Sequence, residues 1–228
     1  MNIALIGTGD MGGALALAFS RHHRVTVTAS RPGSESARQV IDASGGRIHE
    51  APRGEAVAEA DLVVLAVPWE AVDDALADGL PDGKILLVVT VPWVGENALA
   101  VGTTTSGAEE VAARVPGARV VQAFNTVASA TVAAPAAHGA PATVIVCGDD
   151  AGAKVVVADL ARELGFDVAN AGPLTSARFT EPMGMLWSAL AYEGGYGEDV
   201  AFRVLRRNDA GPGDDARNRE ESAAHTAR

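Results

Sequence analysis

The chain has 228 residues, enough to bury a sizeable hydrophobic core in one large domain or two small ones. Acidic residues outnumber basic ones by 29 to 18, and a formal charge of −11 argues against a nucleic-acid partner because it repels phosphate backbones. The single cysteine, Cys147, excludes a disulfide within the chain, and no spacing of His, Cys, Asp and Glu is typical of a metal site. No apolar stretch is long and uninterrupted enough to span a membrane, so we expect a cytoplasmic protein.

Strands and helices alternate through residues 1–130. Apolar runs predict strands at residues 2–6, 25–29, 47–50, 62–67, 85–89 and 120–124, and amphipathic spacing predicts helices at 10–21, 34–43, 70–77 and 108–114. Strands that are joined to helices by short loops form a parallel sheet with helices on both faces. We therefore predict an α/β fold for this part, with a doubly wound parallel sheet of the Rossmann type.

The remainder of the chain is predicted to form a small C-terminal part and a tail. Residues 131–207 contain predicted strands at 143–146 and 166–169 and predicted helices at 151–164 and 180–192. The last helix carries Met183, Leu186, Trp187 and Leu190, an apolar face that little remaining chain can cover, so we predict a homodimer. Residues 208–228 are polar and charged, which predicts a disordered tail.

A glycine-rich turn follows the first predicted strand. Residues 7–12 read GTGDMG, the G-x-G-x-x-G pattern of dinucleotide-binding proteins. Gly7 permits the tight turn, Gly9 lets the backbone approach a pyrophosphate, and Gly12 allows the helix to pack closely on the strand. An ordinary glycine turn is the alternative, but the position between a strand and a helix favours a dinucleotide whose diphosphate binds at the helix N-terminus.

The end of the second predicted strand indicates which dinucleotide binds. NAD sites place Asp or Glu there to bind the free ribose 2′-hydroxyl, whereas this chain has Ser30 and Arg31. An arginine suits a 2′-phosphate because it forms charge-assisted hydrogen bonds, and a serine hydroxyl adds a donor. We therefore predict NADP(H), although Glu35 and the negative net charge weaken the local field.

A tryptophan follows the fifth predicted strand, at the edge of the sheet where open α/β folds bind ligands. Trp93 comes directly after Pro92, and we predict that its side chain contributes to the cofactor and acceptor site. Hydride transfer between two rings requires mainly that they be stacked, so we predict no catalytic side chain.

Several segments, in order along the chain, resemble the NADP-dependent coenzyme F420 oxidoreductase family. They are 7–12 (GTGDMG), 29–31 (ASR), 66–70 (AVPWE), 122–127 (QAFNTV), 147–150 (CGDD), 171–174 (AGPL) and 195–198 (GYGE). The resemblance implies hydride exchange between NADP(H) and C5 of the deazaflavin F420, and a compact C-terminal part that helps to form a homodimer.

The resemblance also implies roles for individual residues. Those expected to bind the cofactor are Thr8, Gly9, Asp10 and Met11 at the pyrophosphate, Ser30 and Arg31 at the 2′-phosphate, Val67, Pro68 and Trp69 along the cofactor, and Asn125 to Ser129 at the nicotinamide. The family's basic residue shortly after the arginine is not evident in this chain, where Glu35 lies in that region.

Two other functions remain open from the sequence. One is an NADPH-dependent reductase of an imine, an enamine or a dehydroamino acid, which would need a proton donor near the acceptor. Tyr192, Tyr196 and Thr126 are the nearest candidates for that donor. The other is an NADP-binding sensor that does not catalyse a reaction.

Overall fold

The computed structural model describes residues 1–95, 98–137 and 139–206. The strands are β1 (Asn2–Ile6), β2 (Arg24–Thr28), β3 (Ile48–Glu50), β4 (Leu62–Leu65), β5 (Ile85–Val88), β6 (Trp93–Val94), β7 (Ala98–Leu99), β8 (Arg119–Gln122), β9 (Thr143–Gly148) and β10 (Asp167–Asn170). The α-helices are α1 (Asp10–Phe19), α2 (Glu35–Ala43), α3 (Arg53–Glu59), α4 (Val72–Ala75), α5 (Gly107–Arg114), α6 (Ser129–Ala133), α7 (Ala151–Glu163) and α8 (Ala177–Ser188). Single turns of 3₁₀ helix lie at Trp69–Ala71 and Leu174–Ser176, and a π-helical segment, Ala189–Glu193, continues α8.

Eight strands form one sheet in the order β10-β9-β8-β5-β4-β1-β2-β3. The six strands from β8 to β3 are mutually parallel, which confirms the predicted doubly wound Rossmann sheet. β9 runs antiparallel to β8, and β10 is parallel to β9. A separate antiparallel hairpin, β6-β7, follows β5.

The core lies on both faces of the sheet because alternate strand residues point in opposite directions. Leu5 of β1 and Leu87 of β5 belong to the cluster that also includes Leu15 and Phe19 of α1. Ile6 and Leu86, one position along the same strands, belong to the opposite cluster with α3, α4 and α5. Burial on both faces accounts for the continuous apolar runs of the central strands.

The C-terminal part continues this sheet and this core. The predicted boundary at residue 130 falls within α6, and β9 pairs with β8 across it. Val144, Val157 and Phe166 belong to the same buried cluster as Leu5. Division into two domains therefore stays a prediction, and the predicted disorder of residues 208–228 lies outside the described part of the chain.

The structure also has elements that the sequence pattern did not predict. These are α3, α6 and the β6-β7 hairpin, each too short for helical or strand periodicity to emerge. The last helix begins at Ala177 rather than at the predicted residue 180, and it contains Pro182. None of the helices in the described ranges is both long and apolar enough to cross a membrane.

Candidate cofactor and acceptor site

The glycine turn between β1 and α1 is shaped by close packing. Gly7 has a φ of +103°, and a Cβ there would meet the Ala66 carbonyl oxygen and approach Cγ1 of Val67 to 2.9 Å. A Cβ on Gly12 would collide with the carbonyl oxygen of Gly7. These two positions therefore require glycine for the fold itself, as the pattern predicted.

Gly9 differs from its neighbours because it faces open space. Apart from Gly9 itself and its two chain neighbours, no atom of the described residues lies within 4 Å of a Cβ built on it. It is the N-cap of the ten-residue helix α1 and supplies no side-chain cap, so N–H groups of the first turn remain available. An open approach to a helix N-terminus fits a diphosphate.

A cleft of about 280 Å³ with many polar side chains borders this turn, and we call it the adenosine cleft. It brings together residues from the ends of four parallel strands; those with polar side chains are Thr8, Thr28, Ser30, Arg31, Ser34, Ser36, Arg53 and Asp74. Thr8 Oγ1 and Ser36 Oγ are 2.8 Å apart, and Ser36 Oγ lies 3.3 Å from Ser34 Oγ. The hydroxyls thus form a chain along the cleft, and Arg31 supplies positive charge there.

The loop that carries Ser30 and Arg31 is held from two sides. The N–H of Gly33 donates to both carboxylate oxygens of Glu50, at 3.2 and 3.0 Å, and Arg38 Nε donates to the Gly33 carbonyl oxygen at 2.8 Å. Gly33 has a φ of +65°, a conformation that favours glycine. The pairing of β3 with β2 brings Glu50 next to this loop, and its carboxylate accepts hydrogen bonds from the loop backbone.

A second cleft of about 510 Å³, lined by a larger share of apolar residue types, lies beside the first, and we call it the acceptor cleft. Residues from the ends of β1, β4, β5 and β8 line it; those with large or polar side chains are Met11, Pro68, Trp69, Glu70, Thr90, Trp93, Phe124 and Asn125. Ala66, Val67 and Pro68 line both clefts, so the two are contiguous along the sheet edge. Thr90 Oγ1 donates to the Val67 carbonyl oxygen at 2.7 Å and fixes this shared wall.

The indole of Trp69 is held in place at the rim. The guanidinium carbon of Arg114 lies 5.7 Å from the centre of its ring, a cation–π contact. Arg114 Nε donates to Asp73 Oδ1 at 2.7 Å, which anchors the arginine. On the other side of the acceptor cleft, Trp93 is positioned by the β6-β7 hairpin, where it pairs with Leu99.

The side-chain amide of Asn125, at the acceptor cleft, lacks hydrogen-bond partners within the described part of the chain. Both Nδ2 and Oδ1 are buried, and neither has a hydrogen-bond partner within the described ranges. The preceding residue, Phe124, has a φ of +63°, a strained conformation for a non-glycine residue. Its buried ring makes edge-to-face contacts with Phe19 and Phe166 at 6.3 and 5.9 Å between centroids, which hold the strained backbone. An unpartnered amide that lines a cleft fits a ligand with complementary polar atoms.

A buried carboxylate that sequence reasoning missed lies beneath this region. Glu181 of α8 accepts hydrogen bonds from the N–H groups of Gly107 and Ala108 at 2.9 and 3.0 Å, and from Gln122 Nε2 at 2.8 Å. Burial raises the pKa of Glu181, while these hydrogen bonds act to lower it. The contacts join α8 to the start of α5 and the end of β8. The sequence signal was a single charged residue within the predicted helix 180–192.

The remaining predicted residues lie elsewhere. Ser129 begins α6 and lines neither cleft. Tyr192 and Tyr196 are 63% and 68% exposed and also lie outside both clefts. Thr126 is buried, and its Oγ1 has no partner in the described part of the chain. Within that part, no group of three or more His, Cys, Asp or Glu side chains could hold a metal ion.

The chain is similar to known proteins of one family. Residues 2–92 match the family described as NADP oxidoreductase, coenzyme F420-dependent. The chain is 34% identical over 199 residues to the F420-dependent NADP reductase of Methanothermobacter thermautotrophicus, covering 79% of this chain and 85% of that protein. It is 27% identical over 197 residues to the enzyme of the same name from Methanocaldococcus jannaschii, covering 79% and 88% of the two chains.

A solved structure shares the whole architecture. The crystal structure of a candidate F420-dependent NADP reductase from Arthrobacter sp. FB24 superposes with a TM-score of 0.77 at 28% identity, covering 90% of this chain and 100% of that one. The chain therefore belongs to the family of coenzyme F420-dependent NADP oxidoreductases, and it is an NADP-dependent oxidoreductase.

Proposed function

We propose that this protein transfers a hydride between NADP(H) and the deazaflavin ring of coenzyme F420. The observation that carries the proposal is the shared wall at residues 66–68, which makes the adenosine cleft, with its hydroxyls and arginines, continuous with the acceptor cleft and its two tryptophans. One cleft suits the phosphates and the adenosine end of a dinucleotide, and the other suits two stacked rings. Membership of the family supports F420 as the partner of NADP(H).

The chain's own residues bind and orient the reactants in this proposal. The first turn of α1 binds the diphosphate next to Gly9, and Arg31 with Ser30 binds the 2′-phosphate. Trp69, Trp93 and their apolar neighbours pack against the bound rings, and the Asn125 amide hydrogen-bonds a polar edge of a bound ring. A bound NADPH would supply the hydride with both electrons, and solvent would supply the proton that balances the reduction of the deazaflavin.

The placement of the proposed proton donors favours a deazaflavin over a substrate that must be protonated by the enzyme. Tyr192 and Tyr196 are exposed and away from the acceptor cleft, and the Tyr192 hydroxyl donates to Glu198 Oε1 at 2.8 Å. That hydrogen bond raises the pKa of Tyr192, which makes it a weaker acid. A deazaflavin accepts hydride at carbon, so positioning of the two rings suffices.

A reductase of a cationic iminium substrate is the second candidate, and one observation favours it. Glu70 is the charged side chain among the described residues that line the acceptor cleft, and a carboxylate attracts a cation. The phosphate and carboxylates of F420 would have to remain away from it. Because Glu70 is exposed at the rim, solvent screens its charge, so we retain the deazaflavin as the leading proposal.

We also propose that two copies associate through the C-terminal helix. On α8, Phe179 and Leu186 are 76% and 52% exposed, and Tyr192 is exposed just beyond it. A surface of large apolar side chains on a helix end favours a protein partner, and a second copy is the commonest one. Trp187 is anchored behind this surface, because its Nε1 donates to the Val200 carbonyl oxygen at 2.6 Å.

The test of the proposed reaction mixes the full chain, NADPH and oxidised F420 and follows the loss of deazaflavin absorbance. A parallel panel contains cyclic imines and dehydroamino acids, with NADPH oxidation as the readout. Bleaching of F420 at enzymatic rates supports the proposal. Turnover of an imine without F420 bleaching replaces it with the second candidate, and tight NADPH binding without turnover of any acceptor indicates a sensor.

A further inference from the structure

Two arginines follow adjacent strands at the edge of the adenosine cleft. β2 and β3 are paired in parallel, with Val27 opposite Glu50, so their carboxyl ends lie side by side. Arg31 comes three residues after the end of β2, and Arg53 three residues after the end of β3. Both line the same cleft of about 280 Å³, together with the hydroxyls of Ser34 and Ser36.

The guanidinium of Arg53 retains unused donors. Its Nη1 lies 3.6 Å from Asp74 Oδ2 and its Nη2 3.2 Å from Asp78 Oδ2, but both aspartates are more than 70% exposed. Ion pairs with such exposed carboxylates are weak because solvent screens them. Arg53 Nε is buried and has no hydrogen-bond partner among residues 1–95, 98–137 and 139–206. Nη1 and Nη2 carry four of the five N–H donors of a guanidinium, and Nη2 gives one of them to Asp78, so these two nitrogens have donors left for a ligand.

The charge of the cleft depends on this residue. Of the described side chains that line it, those of Arg31, Arg53 and Asp74 carry a full charge. Without Arg53, the charges of Arg31 and Asp74 would cancel, and the cleft would offer no net attraction to an anion. No basic residue lies between positions 32 and 37, and Arg38 Nε donates to the Gly33 carbonyl oxygen. A positive cleft therefore needs a cation from another element, which α3 provides.

We infer that Arg53 is a second cation for the phosphate on the adenosine ribose and that it helps to determine the preference for NADP(H) over NAD(H). The inference rests on the proposed role of Arg31 at that phosphate. A dianionic phosphate has several acceptor oxygens, so it can bind two guanidinium groups at once. Arg53 exchanges a weak pairing with exposed carboxylates for charge-assisted hydrogen bonds inside the cleft.

The experiment measures equilibrium binding of NADPH, NADH, 2′,5′-ADP and 5′-AMP to the full chain by calorimetry. Arg53→Gln removes the charge and keeps most of the side chain. Arg162→Gln is the matched control, since Arg162 forms an exposed ion pair with Asp159 on α7 and lies outside the cleft. Arg53→Lys restores the charge without the planar group.

We expect Arg53→Gln to weaken the binding of NADPH and 2′,5′-ADP about tenfold. The affinity for NADH and 5′-AMP should change by less than about twofold. Normal binding of 5′-AMP shows that the variant is folded and its cleft intact. Arg53→Lys should recover part of the loss, and Arg162→Gln should bind all four ligands like the unmodified chain.

Two results overturn the inference while leaving the NADP(H) site in place. One is unchanged NADPH binding by Arg53→Gln while Arg31→Ala loses NADPH selectively. The other is equal weakening of NADPH and NADH by Arg53→Gln, which would make the residue structural. If the unmodified chain binds NADH as tightly as NADPH, the cofactor preference and the role of Arg53 both fail. No arm contains F420, so failure of the acceptor proposal is a separate result.

Discussion

Glu181 and Gln122 are joined by a buried hydrogen bond of 2.8 Å, from Gln122 Nε2 to Glu181 Oε1, that ties the last helix to the end of β8. Gln122 precedes the turn that presents Asn125 to the acceptor cleft, and a Cβ on Gly184, one helical turn after Glu181, would lie 2.6 Å from the Asn125 carbonyl oxygen. The small C-terminal part thus supports the acceptor side of the site from below.

The buried position of Glu181 predicts how stability depends on pH. Burial raises its pKa above the ordinary value of 4.5, so the folded state binds this proton more tightly than the unfolded chain. The corresponding stability is fully present below pH 4.5 and is lost as pH rises through the folded-state pKa. In urea unfolding, the free energy of unfolding of the unmodified chain should fall as the pH rises above 4.5. The Glu181→Gln variant should not show this fall.

The pair Glu109 and Arg178 gives the opposite dependence in a separate pH range. The hydrogen bond from Arg178 lowers the pKa of Glu109, so the stability that this group contributes is lost as pH falls below 4.5. Glu109→Gln should remove this dependence below pH 4.5, and because the Glu109 charge also raises the pKa of Glu181, it should shift but not abolish the fall in stability above pH 4.5. Identical slopes for the unmodified chain and Glu181→Gln would contradict the assignment to Glu181.

Arg31→Ala should weaken NADPH binding selectively. Loss of a charge-assisted contact with the 2′-phosphate costs roughly 1.5–3 kcal/mol, which corresponds to a tens-fold weaker complex. NADH, which lacks that phosphate, should bind as before. Fluorescence titration with both cofactors measures the ratio, and an equal loss for both would show that Arg31 acts on the fold of the loop.

Two substitutions in the glycine turn should have different consequences. Gly9→Ala adds a methyl group in open space, so it should keep the melting temperature but weaken NADPH and NADH alike by intruding on the diphosphate. Gly12→Ala places the methyl group against the backbone of Gly7 and should reduce stability by about 1–3 kcal/mol. Thermal melting and cofactor titration of both variants distinguish these effects. Destabilisation by Gly9→Ala would argue against an open binding surface there.

Asn125→Ala should lower activity without lowering stability. A buried amide without a partner costs about 1–3 kcal/mol, so its removal should leave the free protein at least as stable as before. Turnover with NADPH and F420 should fall by about tenfold or more, because one hydrogen bond to a bound ring is lost. Unchanged turnover with lower stability would show that Asn125 has a structural role.

Charge on the exposed face of α8 should prevent association of two chains. Phe179→Glu with Leu186→Glu places carboxylates on side chains that are 76% and 52% exposed, so the fold of one chain should survive. Light scattering should give a dimer for the unmodified chain at micromolar concentration and a monomer for the variant. A monomeric unmodified chain would refute the homodimer.

The Rossmann sheet could be predicted from local patterns alone. The continuous apolar strands, the glycines at 7, 9 and 12, and Arg31 after β2 each reflect a local requirement: burial on both faces, a tight turn beside a helix, and a charge at the end of a strand. Such requirements appear as residue types at short spacing, so the sequence reveals them. The family resemblance likewise depended on short segments in a fixed order.

Other features depend on contacts between distant parts of the chain. The proximity of Arg53 to Arg31 follows from the pairing of β3 with β2, and Glu181 reaches Gly107 across 74 positions. The orphaned amide of Asn125 is recognisable only once the packing around Phe124 is known. The sequence by itself determined the sheet and the phosphate loop, because those follow from neighbouring residues. Only the tertiary structure decided which charges share a cleft and which polar groups are buried without a partner, because burial and long-range proximity arise from the packing of the whole chain.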